Sequence, residues 1–399
     1  MSWIGQGFLR AFLSVGLLAS FVPRASAEEE RSAYVWERGP SRDEAYFPIA
    51  VWLQQPRSAV HFREAGINLY VGLWQGPTQE QLDTLARAGM HVICAQNSIG
   101  LENRENPVIV GWMHGDEPDN AQSLGPGKGY GPPIPPADIV RDYQRMREAD
   151  PSRPVLLNLG QGVAWDDYIG RGVRRRHPED YPEYIAGSDI VSFDIYPAVH
   201  EAPEVAGKLE FVPRGVERLV EWSGGKKIVW NCIECTRIGN PEVKPTPEQV
   251  RAEVWMSLIR GSRGIIYFVH QFAPDFREAA LLDDPEMLAA VTALNREIRD
   301  LAPVLNAPTA PDAIVVRASD PEIPVAVMVK RHDSGIYCFA ANLRNRPVEA
   351  TFTLGEEDTE GARTAEVLGE SRTVTLQDGA WTDAFPAYGI HRYRLGAGE

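Results

Sequence analysis

The amino-acid sequence predicts an α/β fold, a (β/α)8 TIM barrel followed by a small C-terminal antiparallel β-sandwich domain. Short apolar runs alternate with helical patterns through the middle of the chain, and the alternation provides eight strand–helix units. Such alternation is typical of a parallel sheet, and eight units favour closure into a barrel. From about Pro311 only short strand patterns separated by turn residues follow, which indicates a second, all-β domain.

Each predicted barrel strand is a short apolar run. The eight runs are Phe47–Leu53, Ile67–Trp74, His91–Asn97, Ile109–Gly115, Pro154–Gly160, Ile190–Tyr196, Lys227–Cys235 and Gly264–Phe272. Helical patterns lie at Thr78–Ala88, Pro136–Ala149, Leu209–Trp222, Pro247–Arg260 and Pro285–Leu305. In the second and sixth strands one face is aliphatic and the other carries polar and aromatic residues. We expect the aliphatic face under the helices and the mixed face inside the barrel, with a working site at the strand C-termini.

The chain divides into three predicted segments. Residues 1–27 resemble a secretory signal peptide, because Arg10 precedes an apolar run that ends at the small-residue site Ala25-Ser26-Ala27. We therefore expect cleavage after Ala27 and a secreted or periplasmic protein; an uncleaved membrane anchor is the alternative. Residues 28–310 are assigned to the barrel and residues 311–399 to the C-terminal domain. The strands of that domain are predicted at Ala313–Ala318, Val325–Lys330, Gly335–Asn342, Val348–Leu354, Thr373–Leu376 and Ile390–Leu395.

The charge and the motifs exclude several classes of function. The formal net charge is −15, and an acidic surface argues against nucleic acid or an anionic membrane as a partner. Neither a phosphate-binding loop nor a glycine-rich dinucleotide motif is present, and no cofactor is indicated. A carbohydrate substrate is the expected partner, and the oligomeric state stays open.

Two glutamates end predicted strands in a way that indicates catalysis. Glu117 follows the fourth strand in Gly115-Asp116-Glu117-Pro118, and Glu234 ends the seventh strand. A carboxylate at the end of an apolar strand either faces the barrel mouth or carries a large desolvation cost. Cleavage of a glycosidic bond needs two carboxyl groups, one protonated and one ionised.

At these positions the chain resembles the clan A glycoside hydrolases, retaining (β/α)8 enzymes. Their acid/base glutamate ends the fourth strand, usually after Asn, and their nucleophile ends the seventh strand. The resemblance implies that Glu117 is the acid/base, that Glu234 is the nucleophile, and that Tyr196 hydrogen-bonds to Glu234. Asp116 departs from the pattern, because an ionised Asp can only accept a hydrogen bond from a sugar hydroxyl where Asn donates one. Retention would place the two catalytic carboxyl groups about 5–5.5 Å apart.

Further residues are candidates for binding the substrate. Aromatic platforms and polar side chains near strand ends are predicted at Trp52, Trp74, His114, Asn158, Asp194, His270 and Gln271, beside Asp116 and Tyr196. For each of these, packing or a buried structural hydrogen bond is the alternative.

Two rival functions stay open at this point. His114, Asp116, Glu117 and His270 could form the site of a metal-dependent hydrolase, although the sequence lacks the usual metal-ligand spacings. The second rival function is that of a non-catalytic carbohydrate-binding barrel, since a fold does not determine the function of a protein. The sugar, the linkage and the choice between internal and terminal cleavage are not indicated by the sequence.

Overall fold

The computed structural model describes residues 35–355, 358 and 363–396. The predicted signal peptide, residues 1–27, lies outside these described residues. Within them, every helix is too short or too polar to cross a lipid bilayer.

The parallel strands form one sheet that closes into a barrel. They are β1 (Ile49–Trp52), β2 (Leu69–Val71), β3 (His91–Ala95), β4 (Ile109–Met113), β5 (Val155–Leu159), β6 (Ile190–Phe193), β7 (Ile228–Val229), β8 (Asn231–Glu234) and β9 (Ile265–Phe268). Only Trp230 separates β7 from β8, and β7 pairs with β6 while β8 pairs with β9. These two strands are therefore halves of the seventh barrel strand. Because β1 pairs with both β2 and β9, the ring is complete and the predicted eight-stranded barrel is confirmed.

Helices cover the outside of the barrel. They are α1 (Ala59–Glu64), α2 (Gln79–Ala88), α3 (Ser98–Glu102), α4 (Pro136–Ala149), α5 (Tyr181–Ala186), α6 (Phe211–Trp222), α7 (Pro247–Ile259), α8 (Pro285–Asp300) and α9 (Ala302–Asn306). Capping boxes at Thr78 and Thr246 start α2 and α7. Each threonine side chain accepts the backbone N–H of a Gln three residues later, and that Gln side chain accepts the backbone N–H of the threonine. Helices α1, α3 and α5 escaped prediction because none exceeds six residues, too few to show a helical period.

The orientation of the strands differs from the prediction in one place. In β2, Leu69 and Val71 pack inside the barrel, while Tyr70 makes an edge-to-face contact with Phe62 of α1 at 6.1 Å. The expectation that the aliphatic face of this strand lies under the helices was therefore wrong. Barrel interiors are filled by branched aliphatic side chains, so an aliphatic face does not by itself point outward. In β6 the prediction agrees with the structure, because Phe193 packs against Gly215 of α6.

Eight antiparallel strands form the C-terminal domain. They are β10 (Ile314–Ala318), β11 (Val325–His332), β12 (Gly335–Asn342), β13 (Val348–Leu354), β14 (Thr364–Val367), β15 (Arg372–Thr375), β16 (Ala380–Phe385) and β17 (Ile390–Leu395). They form a three-stranded sheet, β10-β13-β16, and a five-stranded sheet, β11-β12-β17-β14-β15. Phe352, which stacks on Trp381 at 4.9 Å and meets Tyr393 at 5.3 Å, lies in the core between them. The predicted antiparallel domain is confirmed, although β14 and β16 were not predicted.

The C-terminal domain packs against the helical shell of the barrel. Phe339 of β12 stacks on Trp255 of α7 at 5.3 Å, and the Arg392 guanidinium lies over the Trp255 ring at 5.2 Å. Arg392 also forms an ion pair with Glu297 of α8 at 2.7 Å. The predicted boundary between residues 310 and 311 falls in the connection between α9 and β10. The C-terminal domain therefore packs on the outer side of α7 and α8.

Candidate active site

Several residues at the C-terminal ends of the barrel strands have a strained backbone. Leu53 directly follows β1 with φ +47°, and Glu117 follows β4 with φ +43°. A non-glycine residue in this region costs about 1–3 kcal/mol and persists only where its surroundings fix it, which is frequent at functional sites. The Leu53 N–H donates to the Val71 carbonyl, and the Glu117 N–H donates to the Asn158 carbonyl. The strain therefore lies at the rim of the barrel, where catalytic residues of this fold sit.

Glu117 is half-buried in a group of acidic side chains. Burial raises the pKa of its carboxyl group well above the ordinary value, and the charges of Asp194, Asp116 and Asp119 raise it further. One oxygen of Glu117 lies so close to Gly160 that a Cβ there would be 2.9 Å away. Glycine at position 160 thus leaves the space that this carboxyl group occupies. These surroundings favour the protonated form of the Glu117 carboxyl group.

Asp194 shares a hydrogen bond with Glu117. Asp194 lies just beyond β6, and burial raises its pKa to about 7, a shift that the charge of Asp116 reinforces. The hydrogen bond between the two carboxyl groups raises the pKa of Glu117 and lowers that of Asp194, so Glu117 is the donor. Tyr196 also hydrogen-bonds to Asp194, which favours the charged form of Asp194. The arrangement places the proton on Glu117 and the charge on Asp194.

Asp119 fixes the segment that carries Glu117. Its buried carboxylate accepts the N–H of Gly160 at 2.9 Å and the hydroxyl of Tyr181 at 3.0 Å, with Arg171 at 4.0 Å. The first of these bonds joins the end of β5 to the β4 loop, and the second joins this loop to α5. Asp119 was not predicted, because an Asp two residues after Glu117 has no distinguishing pattern in the sequence.

Asp116 is a second carboxylate of the site that favours the ionised form. Its Oδ1 accepts the side-chain N–H of Asn158 at 2.9 Å, and Asn158 in turn accepts the hydroxyl of Ser192 at 2.7 Å inside the barrel. Burial raises the pKa of Asp116 to about 6, and the bond from Asn158 opposes that rise. Asp116 is therefore charged above about pH 6, with Asn158 below it as its support.

A cavity of about 590 Å³ opens beside Asp116. Its wall is largely aromatic and is formed by Trp52, Trp74, Phe268, His270, Phe272 and Phe276. Trp74 is 54% exposed, Phe272 53% and Phe276 65%, so their rings are open to a ligand. Aromatic rings of this kind pack against the C–H faces of sugars. The predictions of Trp52, Trp74, Asp116 and His270 fall on this cavity, whereas the phenylalanines of the loop after β9 escaped prediction.

His270 is held neutral in the wall of the cavity. Burial lowers its pKa, and its ring nitrogens lie within 3.5 Å of the Gln54 side-chain nitrogen and near the Leu53 carbonyl. Its ring is parallel to that of Phe272 at 6.0 Å. These contacts orient the aromatic wall and link it to the strained residue after β1.

The loop after β5 supplies further residues near Glu117. Burial and the charges of Glu117 and Asp194 raise the pKa of the Tyr168 phenol, whose hydroxyl is hydrogen-bonded to Asn120. Trp165 packs against Tyr168 at 5.9 Å. Tyr168 escaped prediction because it lies in an irregular loop without periodicity.

Glu234 does not lie in this cavity. None of its side chain is exposed, and its two oxygens accept the backbone N–H groups of Ala198 at 2.6 Å and Val199 at 3.0 Å. Among the residues that the structure describes, the carboxyl group that hydrogen-bonds to it is that of Glu253 in α7. The charges that act on Glu117 come from Asp194, Asp116 and Asp119, and Glu234 is not among them.

The predicted contact between Tyr196 and Glu234 is therefore corrected. Within the described residues, Tyr196 hydrogen-bonds to Asp194, and its ring packs against Phe268 at 5.2 Å. The loop after β6 turns beyond Tyr196, so the backbone of this loop reaches Glu234 in place of the tyrosine hydroxyl.

Two other predicted residues lie away from the cavity. The His114 ring bonds to the carbonyl of Gly187, at the end of α5, at 2.8 Å, and burial lowers its pKa. This histidine packs between the barrel and its helices. The Gln271 side chain donates to the Asp275 carbonyl at 3.3 Å within the loop after β9. Within the described residues, no group of three or more His, Cys, Asp and Glu side chains has an arrangement that could hold a metal ion.

No protein-family model matches the chain, and no curated protein matches it in sequence. Solved structures resemble it in fold. An α-amylase from Anoxybacillus has a TM-score of 0.54 and 11% identity, over 90% of this chain and 100% of that chain. The α-amylase of Geobacillus thermoleovorans, solved with acarbose, has a TM-score of 0.50 and 11% identity, over 88% of this chain and 98% of that chain. A putative α-galactosidase from Bacteroides fragilis has a TM-score of 0.50 and 11% identity, over 89% and 80% of the two chains. The barrel with a C-terminal β domain is thus an architecture that glycoside hydrolases use.

Proposed function

We propose that this protein is a glycoside hydrolase in which Glu117 is the general acid/base. The observation that carries the proposal is a Glu117 carboxyl group with a raised pKa, hydrogen-bonded to Asp194 and next in the chain to Asp116, which borders an open aromatic cavity. The similarity in fold to two α-amylases and an α-galactosidase supports it. A polysaccharide or oligosaccharide is the proposed substrate.

Glu117 has the surroundings that the first chemical step needs. An acid must keep its proton until the glycosidic oxygen departs, and the charges of Asp194 and Asp116 favour the protonated form. Once Glu117 has donated its proton, the charge of Asp194 favours its return. Glu117 can then act as the base that removes a proton from the attacking water.

For the second carboxylate we propose Asp116 in place of Glu234. Asp116 borders the cavity and is ionised above about pH 6, whereas Glu234 is fully buried with both oxygens bound to backbone amides. We propose double displacement with retention. Asp116 attacks the anomeric carbon while Glu117 protonates the leaving oxygen. Water, deprotonated by Glu117, then displaces Asp116 from that carbon.

Trapping the covalent intermediate tests this assignment. The chain from Glu28 onward would be screened on aryl glycosides and polysaccharides, and then inactivated with the matching 2-deoxy-2-fluoro glycoside. We expect peptide mass spectrometry to find the sugar on Asp116 and proton NMR to detect a first product of retained configuration. Sugar on Glu234 would restore the nucleophile that the clan A resemblance implies, and an inverted product would exclude double displacement.

Three isosteric variants separate the roles of the carboxyl groups. Glu117→Gln should lower kcat by about 10²–10⁴ on substrates with poor leaving groups, and by less where the leaving group needs no acid. Asp116→Asn should remove most of the activity, and Glu234→Gln should keep a measurable part of it. Glu183→Gln, an exposed glutamate on α5, is the control. Full activity of Glu117→Gln would exclude Glu117 as the acid/base. Sugar binding without cleavage by the wild-type chain would favour the non-catalytic barrel.

We also propose that the protein is exported. The support is the basic residue, the apolar run and the Ala25-Ser26-Ala27 site at the N-terminus. N-terminal sequencing of the protein from the culture medium or periplasm should find Glu28 first, and a chain that begins at Met1 would contradict the proposal.

A further inference from the structure

A second pair of carboxyl groups lies outside the cavity. Glu234 ends β8 and Glu253 lies in the middle of α7, and both side chains are fully buried. The two Glu234 oxygens accept the N–H groups of Ala198 and Val199. Neither oxygen of Glu253 has a hydrogen-bond donor in the described part of the chain.

This arrangement requires a proton between the two side chains. A buried carboxylate without a donor or a cation is very costly, and such a group keeps its proton instead. The neighbour of Glu253 that can accept a hydrogen bond from it is Glu234. A proton on Glu253 removes its charge and gives Glu234 a third donor, so the pair carries one negative charge in place of two.

The charged groups around the pair leave this conclusion unchanged. Cys235 follows Glu234 and is buried, and burial raises the pKa of its thiol, so it stays neutral. Asp284 is paired with Lys244 at 2.6 Å. Glu297 of α8 is paired with Arg251 and Arg392. Lys244, Arg251 and Arg392 are therefore engaged with other carboxylates.

The pair holds the segment that carries Asp194 and Tyr196. Residues 198 and 199 lie four and five positions after Asp194, the partner of Glu117. Tyr196 lies between Asp194 and residue 198. Pro197 restricts the backbone of this short connection. A shift of the two amide groups would move Asp194 and Tyr196 relative to Glu117.

We propose that Glu234 and Glu253 share one proton and clamp the loop after β6, so that they position Asp194 and Tyr196 beside Glu117. Glu253 is then a positioning residue that acts through Glu234. The clamp holds while the proton is present and loosens when both groups ionise. Burial and the charge of Glu234 raise the pKa of Glu253 well above its ordinary value, and a raised value means that stability is lost as the pH rises.

The pH dependence of thermal melting tests the shared proton without reference to any activity. The Glu253→Gln amide donates a hydrogen bond at every pH and cannot ionise. We expect its melting temperature to fall less between pH 5 and pH 9 than that of the wild-type chain. Glu248→Gln, the same change at an exposed position on α7, should keep the wild-type slope. Equal slopes in Glu253→Gln and the wild type would overturn the shared proton.

The positioning role rests on the proposed function and has its own readout. Glu253→Gln should keep the wild-type kcat/KM at pH 5–6. Glu253→Leu fills the space but cannot donate a hydrogen bond to Glu234. This variant should lower kcat more than it raises KM and move the alkaline limb of the rate profile. An unchanged pH profile in a folded Glu253→Leu variant would overturn the positioning role. If the wild-type chain cleaves no glycoside, the proposed function is wrong. The melting experiment still shows whether Glu234 and Glu253 share a proton.

Discussion

The charge of Asp194 controls the acid strength of Glu117, and the substitution Asp194→Asn tests this dependence. The change removes one negative charge that is in hydrogen-bond contact with Glu117 and keeps the shape of the side chain. A like charge at this range raises a carboxyl pKa by about 1–3 units, and each unit corresponds to about 1.4 kcal/mol. Burial and the charges of Asp116 and Asp119 stay in place, so the pKa of Glu117 should fall but stay above its ordinary value.

The sign of the effect on the rate follows from the role of Glu117. The acid must be protonated, so a lower pKa means that activity is lost at a lower pH. The alkaline limb of kcat/KM should therefore move to lower pH by about 1–3 units, while the variant keeps its activity below that limb. An aryl glycoside with a poor leaving group is the appropriate substrate, because its cleavage depends on the acid.

A direct titration provides a second measurement of the pKa of the Glu117 carboxyl group. Carbon-13 NMR of the glutamate carboxyl groups, with Glu117→Gln to assign the resonance, measures the pKa without a substrate. Asp83→Asn, on an exposed face of α2, is the matched control and should change neither measurement. An alkaline limb that stays in place or moves to higher pH in Asp194→Asn would refute the reasoning.

Two further predictions concern the cavity and the C-terminal domain. Trp74→Ala removes an open aromatic surface and should raise KM about two- to tenfold with kcat nearly unchanged, because a stacking contact contributes about 0.5–1.5 kcal/mol; an unchanged KM would remove Trp74 from the binding surface. Phe352→Ala should lower the free energy of unfolding by about 3–5 kcal/mol in denaturant titrations, since it empties the space beside Trp381. Val315→Ala, at a 54% exposed position on the adjacent strand β10, should change it by less than about 0.5 kcal/mol.

The strands and their order could be predicted because their signals are local. A buried parallel strand is a short apolar run, and all eight barrel strands contain one. Which side chains of β2 point into the barrel could not be predicted in the same way. Both sides of a barrel strand are buried, so the pattern of Leu69, Tyr70 and Val71 has no polar side to orient it.

Part of the candidate site could also be predicted, and the missing part depends on contacts between distant segments. Asp116, Glu117, Asp194 and Trp74 lie at strand ends, which the sequence locates. The sequence could not indicate that Glu234 meets two backbone amides, because these belong to a loop that starts at another strand. Phe272 and Phe276 lie in a loop without a repeating pattern, so their packing into the cavity wall has no sequence signal.

The segment from Asp194 to Val199 connects the two carboxyl pairs and explains why both occur in one protein. At its first residue the Asp194 carboxylate hydrogen-bonds to Glu117, and at its last two residues the backbone amides donate to Glu234. Each pair must keep one proton, because two buried carboxylates in contact repel each other strongly. If Glu234 and Glu253 lost their shared proton, the added repulsion would act on the same short loop that sets the distance between Asp194 and Glu117. The acid strength of Glu117 thus depends on a proton held outside the cavity, and a change at Glu253 that leaves every residue of the cavity intact is expected to alter the pH range in which Glu117 is protonated.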